Sequence, residues 1–347
     1  MNSIISFYIP AHLWPDELPT DPDQNWAGFG LGLYTWTIQT YLRLRAAGVS
    51  CVLTKELPEE GIVLCYSNAI KQIKEGSTDK RLLVCMKAEA PLSAIAPLHI
   101  VQNPLEANTI ANRFFIPHWP QPQLMERDRN RGDRFENLAF FGHANNLAAE
   151  LTTAEWQQDL AKCGLTMQTI ANTNSWNKYH TLDNRWNNYI TVDAVIAVRS
   201  FNPWQQRLTT GFSNKPATKL YNAWLSGSIP ILGKESAYRE TGTPGKDYVE
   251  VTSYAELLDA IDKLKTDIGW RRSLIAQGQL RAKTVTHENI LKRWQLFLNE
   301  VAIPAYEIWR SHSPRKRQQI LFSLRLASYQ DCTQRKQRKL LLNALSP

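Results

Sequence analysis

The chain has 347 residues, 43% of them hydrophobic and 21% charged, a length for two domains of ordinary size and a balance normal for a globular protein. Five cysteines, at positions 51, 65, 85, 163 and 332, form no C-x-x-C pair, and the seven histidines show no i, i+4 pairing, so neither a disulfide framework nor a structural metal is expected. Most of the net charge of +8 lies at the end of the chain, where Arg315, Lys316, Arg317, Arg325, Arg335, Lys336, Arg338 and Lys339 stand against one acid, Asp331.

The opening "MNSIISFYIPAHLWPDELP" lacks a basic start and a long apolar core, so it does not read as a secretory signal, and no window approaches 18 apolar residues. Together with the cysteine pattern this predicts a cytoplasmic protein with reduced thiols. The basic tail either touches anionic lipid at the inner face of the membrane or is a solvated helix face. Nucleic acid is not expected, because no recognised binding motif accompanies the charge. Twelve tryptophans either fill cores or line a sugar-handling surface.

"SIISFYIP" (3–10) reads as a first strand, and "TWTIQTYLRLRAAG" (35–48) as a helix closed by Gly48. Residues 49–53, 61–66, 81–86 and 98–103 read as further strands. Near 117–135 three prolines and a dense charge run read as a linker. A second alternating block follows, with strands at 138–142, 192–198 and 228–233 and helices at 153–164 and 217–227. The stretch 253–267 is a helix, because Ser253 and Glu256 form a capping box and Leu257, Leu258, Ile261 and Leu264 recur at helical spacing. Alternation of this kind predicts α/β architecture with two Rossmann-like, doubly wound domains facing across a cleft and a helical C-terminal tail. The expected divisions are a domain over 1–120, a linker over 121–136, a second domain over 137–295, and C-terminal helices with the basic tail over 296–347.

Ligands of open α/β sheets bind outside the carboxyl ends of the strands, so residues just after strands are the candidates. "GFGLG" with Gly28, Gly30 and Gly32 starts well after the first strand and is G-x-G-x-G, which does not match the dinucleotide fingerprint. It is either a loop whose backbone approaches a ligand closely or a flexible connection. In "MKAEAP" Glu89 follows an apolar run. Partial burial there would raise its pKa and suit a general base, and the alternative is a surface glutamate. In "NKPATKLYNAWLSGSIPIL" (214–232) Lys215 and Lys219 stand four apart, with Pro216 near the first helical position and Lys219 in the first turn. A cation opposes the helix dipole there unless an anion is present, and phosphate is the natural occupant, the alternative being two solvated lysines. Arg199, after the 192–198 strand, can add to the same site.

"KPATKLYNAWLSGSIPILGKESAYRE" followed by "GKDYVEVTSYAELLDAI" resembles the nucleotide-sugar half of a GT-B glycosyltransferase across roughly residues 138–265. Many retaining members carry two glutamates eight positions apart before the glycine, and Asn214 and Asn222 stand at those places. The closer resemblance is to the inverting α-1,3-fucosyltransferase type, whose T-E-K-L-x-x-A-L run is matched by "ATKLYNAWL" with Thr218 in place of the glutamate. "EAP" (89–91) resembles that type's E-S-P, whose glutamate is the base, and "RFFIPHWP" (113–120) resembles its R-x-P segment.

The resemblance implies a metal-independent, inverting glycosyltransferase that takes a sugar from a nucleoside diphosphate, GDP ahead of UDP, to an acceptor hydroxyl on a carbohydrate or other molecule. It implies Glu89 as base, with His118 and His143 in reserve. The implied donor site comprises Lys219, Lys215, Asn214, Thr218, Arg199, His143 and Glu240, and the Gly28, Gly30 and Gly32 loop lies on the acceptor side. Tyr248 and Glu250 read as structural. The missing glutamates keep open a non-catalytic nucleotide- or sugar-binding protein with the same fold.

Overall fold

Short, β-branched and apolar runs separated by helices cannot pair as hairpins, and they form two wholly parallel sheets. The computed structural model describes residues 4–74, 80–107, 112–172, 180 and 184–345. The chain makes two compact units, one of Met1–His118, Asn214–Pro216 and His287–Pro347, the other of Trp119–Ser213 and Ala217–Thr286.

The first unit holds β1 (Ile5–Tyr8), β2 (Cys51–Thr54), β3 (Gly61–Tyr66), β4 (Arg81–Met86), β5 (Leu98–Val101) and β6 (Arg113–Phe115), in the order β2-β1-β3-β4-β5-β6. Ile5 sits between Cys51 and Ile62, and Cys65 sits opposite Cys85. The central strands are buried along almost their whole length, as strands covered on both faces must be. All five cysteines are free thiols. After β1 the chain turns into helical segments Gly32–Tyr34, Thr35–Gln39 (π-helical) and Thr40–Ala46. Every residue of the π-helical turn is buried, and its Trp36 packs edge-on against Trp294, 6.3 Å between centres. Trp36, Trp119, Trp156, Trp224 and Trp294 are all fully buried, so these five serve the cores.

The basic tail forms one helix, Pro314–Leu345, and its inner side is docked on the first unit. Asp331 Oδ2 accepts the Leu92 N–H at 2.9 Å, the Ser328 hydroxyl donates to the Leu92 carbonyl at 2.8 Å, and Arg335 Nη1 donates to the Glu89 carbonyl at 2.9 Å. Burial opposes ionisation of Asp331, but the Leu92 N–H and Arg335 outweigh it and hold the carboxyl below its usual range. No helix among the described residues is long and apolar enough to cross a membrane.

The second unit holds β7 (Asn137–His143), β8 (Thr166–Asn172), β9 (Ala194–Ala197), β10 (Ile229–Gly233) and β11 (Val249–Val251), in the order β11-β10-β9-β7-β8. Leu138, Phe140, Ile196, Ile231 and Val251 meet Leu257, Ile261 and Leu264 of the Tyr254–Thr266 helix in one core. At the start of that helix Ser253 accepts the Glu256 N–H at 3.1 Å. The Glu256 carboxylate, which the capping box would return to Ser253, takes the N–H and hydroxyl of Thr252 instead, at 2.7 and 2.8 Å.

The arginine-rich segment that composition marks as a linker is fastened to the buried Asp193. Its carboxylate accepts from Arg127 Nε at 2.9 Å, from Arg131 Nε and Nη2 at 2.9 and 2.8 Å, and from the Glu136 and Asn137 N–H groups at 2.9 Å each. Burial opposes the charged form, but these donors prevail and hold the pKa below the usual carboxylate value. Asp193→Ala takes the shared carboxylate from two partly buried guanidinium groups and from two backbone N–H groups, and is expected to cost about 2–3 kcal/mol in a denaturant titration. A depressed folded-state pKa means that the contribution is complete above about pH 4 and is lost as pH falls through the folded value. The wild type therefore loses stability in acid more steeply than the variant.

Candidate functional site

In the second unit the chain leaves β7 toward β8 on one side and returns to β9 on the other, so β7 and β9 flank a topological switch point. Gly142 and His143 end β7, and Val198 and Arg199 follow β9. The helix Thr218–Ser226 runs back along the sheet into β10, which sets its first turn at this edge. Gly227, which caps its C-terminal end, takes φ +75°, the left-handed conformation that closes a helix.

Lys219, in that first turn, lies against the end of β7. A Cβ added to Gly142 would stand 3.2 Å from Lys219 Cε and 3.3 Å from Nζ. The ammonium is also 5.5 Å from the centre of the Phe140 ring. Gly142 has φ +153°, which side-chain-bearing residues rarely adopt. The glycine thus serves both the backbone and the close approach of the cation. The N-cap is Ala217, whose methyl accepts nothing from the first-turn N–H groups. Pro216 precedes that cap rather than sitting at the first helical position, and Thr218 opens the helix.

Arg199 is nearly buried and is already matched in charge. Its Nε donates to Glu235 Oε2 at 3.0 Å, and Nη1 bonds Asn146 Oδ1. Glu235 and Asn146 are site residues that the sequence reading does not single out. Glu235 is the second residue after β10, a position the strand-end rule marks. His143 meets Trp186 edge-on at 5.5 Å. Glu240 is exposed on the Ser236–Thr241 helix. Asn222 points into the unit's interior, where Oδ1 accepts the Gln121 N–H at 3.1 Å. Tyr248 donates to Glu250 at 3.3 Å, and Glu250 is paired with Arg239, an arrangement within the fold.

In the first unit Glu89 stands on a turn just beyond β4, closed by the Ala90 N–H to the Lys87 carbonyl at 3.0 Å. It is 48% exposed, so the carboxylate is not buried. Lys215 forms an ion pair with its carboxylate. Asn214 Nδ2 donates to its carbonyl at 3.1 Å, and Gln102 in turn donates to the Asn214 carbonyl at 2.8 Å. Lys215 and Lys219, four residues apart, therefore belong to different units.

Ala88 has φ +47°, an uncommon value for a residue with a side chain, and marks this turn as held in place by its surroundings. Below it, the buried Lys87 pairs with Glu106 at 2.5 Å. Burial pulls the Lys87 pKa down, and Glu106 acts against that. Nearby, burial lowers the His99 pKa to about 3, and its Nε2 accepts the Ser93 N–H at 3.0 Å.

Gly28 and Gly30 lie in an ordered 3-10 turn, Ala27–Gly30, and Gly32 begins the next helix. A Cβ at Gly28 would collide with the Trp26 ring at 2.2 Å and one at Gly32 with the Tyr66 hydroxyl at 2.8 Å. These two glycines leave room for the Trp26 and Tyr66 side chains. His118 packs edge-on against Trp36 at 5.4 Å. Among the described residues no group of three or more His, Cys, Asp or Glu could hold a metal ion.

No family model matches the sequence, and no curated protein is similar to it. Solved structures share its architecture, which is of the GT-B class. HepE from Anabaena in complex with UDP and glucose is 12% identical, with 86% of this chain and 99% of that chain covered and a TM-score of 0.52. An alpha1,3-fucosyltransferase with GDP-fucose is 12% identical, with 85% and 90% covered and a TM-score of 0.48. Sucrose-phosphate synthase from Thermosynechococcus elongatus is 12% identical, with 77% and 72% covered and a TM-score of 0.47. The HepE likeness establishes the fold, and at 12% identity the fold alone.

Gly142→Ala forces strained backbone and pushes on Lys219. It is expected to lower stability by about 1–2 kcal/mol in thermal or denaturant unfolding, with the parallel sheet retained by circular dichroism.

Proposed function

We propose that this protein is a glycosyltransferase that carries a sugar from a nucleoside diphosphate to an acceptor hydroxyl. The observation that carries the reading is Lys219, set in the first turn of a helix and laid against Gly142 at the switch point of the second sheet. The donor diphosphate occupies that edge, between Lys219 and the first-turn N–H groups. The leaving nucleoside diphosphate gains charge as its bond to the sugar breaks, so a fixed cation binds it more strongly in the transition state. Lys219 takes the part that a divalent metal plays in other enzymes, and no metal is required.

Arg199, already neutralised by Glu235, frames the loop after β9, and His143 reaches phosphate or sugar. Thr218 contributes at the helix start and Glu240 at the sugar. Glu89 takes the proton from the acceptor hydroxyl. The acceptor oxygen bonds to the anomeric carbon as the donor's bond breaks, with inversion. Lys215 and Asn214 hold the Glu89 turn. The likeness to HepE with UDP and glucose brings UDP into the reading beside the GDP that the sequence resemblance favours.

A second reading is a nucleotide-binding protein without turnover. It is favoured by a Glu89 that is exposed and ion-paired.

Titration calorimetry with UDP and GDP, without added metal, tests the donor site. One nucleotide is expected to bind, and Lys219→Ala is expected to weaken it about 10- to 100-fold, the scale of one charge-assisted contact. Binding of neither overturns both readings. Glu89→Gln is expected to lower kcat by about 10²–10⁴ with nucleotide affinity unchanged. Nucleotide binding with no transfer from any nucleoside-diphosphate sugar establishes the second reading.

A further inference from the structure

The Pro314–Leu345 helix turns one face to the first unit. Asp331, Ser328 and Arg335 point inward to the 89–92 segment, and Leu321 is buried. On the other side Phe322, Leu326 and Tyr329 follow at i, i+4 and i+7 and are 60%, 52% and 72% exposed. Leu340, five turns beyond Phe322, returns to the same line and is 68% exposed. An aromatic and aliphatic stripe of this length has no folding role on the outside of a helix.

The charges beside the stripe have one sign. At 100° per residue Arg315, Arg325 and Lys336 fall within the same face, and Lys339 lies at its edge. The single acid of the segment, Asp331, lies on the opposite side and is consumed by Leu92 and Arg335. The outward face therefore presents large apolar side chains among cations and no carboxylate.

We propose that this face is a docking surface for an anionic lipid bilayer, with Phe322, Leu326, Tyr329 and Leu340 in the headgroup–acyl boundary and Arg315, Arg325 and Lys336 on lipid phosphates. The charge pattern decides for lipid over a second copy of the chain. Two copies placed face to face would bring like charges together around the stripe, whereas an anionic surface satisfies cations and apolar groups at once. The helix lies along the surface, since its inner face stays bound to the first unit. Glycosyl transfer is not assumed.

The test is co-sedimentation of the full chain with vesicles of phosphatidylcholine alone and of phosphatidylcholine with phosphatidylglycerol. Binding is expected only to the anionic vesicles and is expected to weaken as salt rises. Arg315→Glu with Lys336→Glu is expected to reduce partitioning by on the order of 100-fold, and Phe322→Ser with Leu326→Ser and Tyr329→Ser by at least ~10-fold. All five positions are exposed, so unchanged thermal unfolding shows that the fold is intact. The proposal is overturned by equal binding to both vesicle types, by no binding to either, or by binding that the two variants do not change. It is also overturned by a dimer in sedimentation velocity that the serine variant abolishes without any vesicle binding, which would make the face an interface between copies, or by displacement from vesicles onto duplex or single-stranded nucleic acid.

Discussion

One carboxylate aligns the strands between which the second unit's site forms. Asp193 stands at the start of β9 and accepts the N–H groups of Glu136 and Asn137 at the start of β7. It thereby sets Leu138 opposite Ala194 and Ala139 opposite Val195. Everything beyond follows that alignment, because the same two strands end at Gly142–His143 and at Val198–Arg199. A slip by one residue would turn every side chain of β7 to the other face, taking Phe140 out of the core and Gly142 away from Lys219. Arg127 and Arg131 compensate the buried charge, so a segment that looks like a spacer is part of the alignment device.

The two units handle charge differently at their strand ends. In the second, Arg199 is neutralised by Glu235, while Lys219 meets an aromatic ring and a glycine. In the first, Glu89 is carried on a turn held from several directions: Lys215 and Asn214 from a short excursion of the chain, and Arg335 from the C-terminal helix. The left-handed Ala88 persists because so many bonds fix its neighbours. A carboxylate placed by this many contacts keeps its position without being buried.

Much of the fold was legible because parallel strands buried on both faces are short apolar runs. The readings at 61–66 and 81–86 coincide with β3 and β4, and the capped helix at 254–266 is present. β8 escaped because it is an edge strand with the polar sequence "TMQTIAN", whose residues are mostly exposed or half-exposed. Strand ends pointed to Lys219 and Arg199, but pairing is a matter of three dimensions. Nothing in the spacing of Lys215 and Lys219 says that one joins Glu89 and the other Gly142. Nor does sequence alone reveal that Trp26 and Tyr66 fill the space beside the glycines at 28 and 32. The role of Asp193 was hidden for the same reason, as its partners lie more than fifty residues away.

The chain enters, leaves and re-enters the first unit, which takes residues Met1–His118, Asn214–Pro216 and His287–Pro347, while the second is nearly one continuous piece. On the ribosome this reverses the usual order. The second unit has all its strands once residue 286 has emerged, whereas the 89–92 turn of the first must wait for Asp331 and Arg335 at the far end of the chain. The unit whose strands are synthesised first is thus the last to be completed.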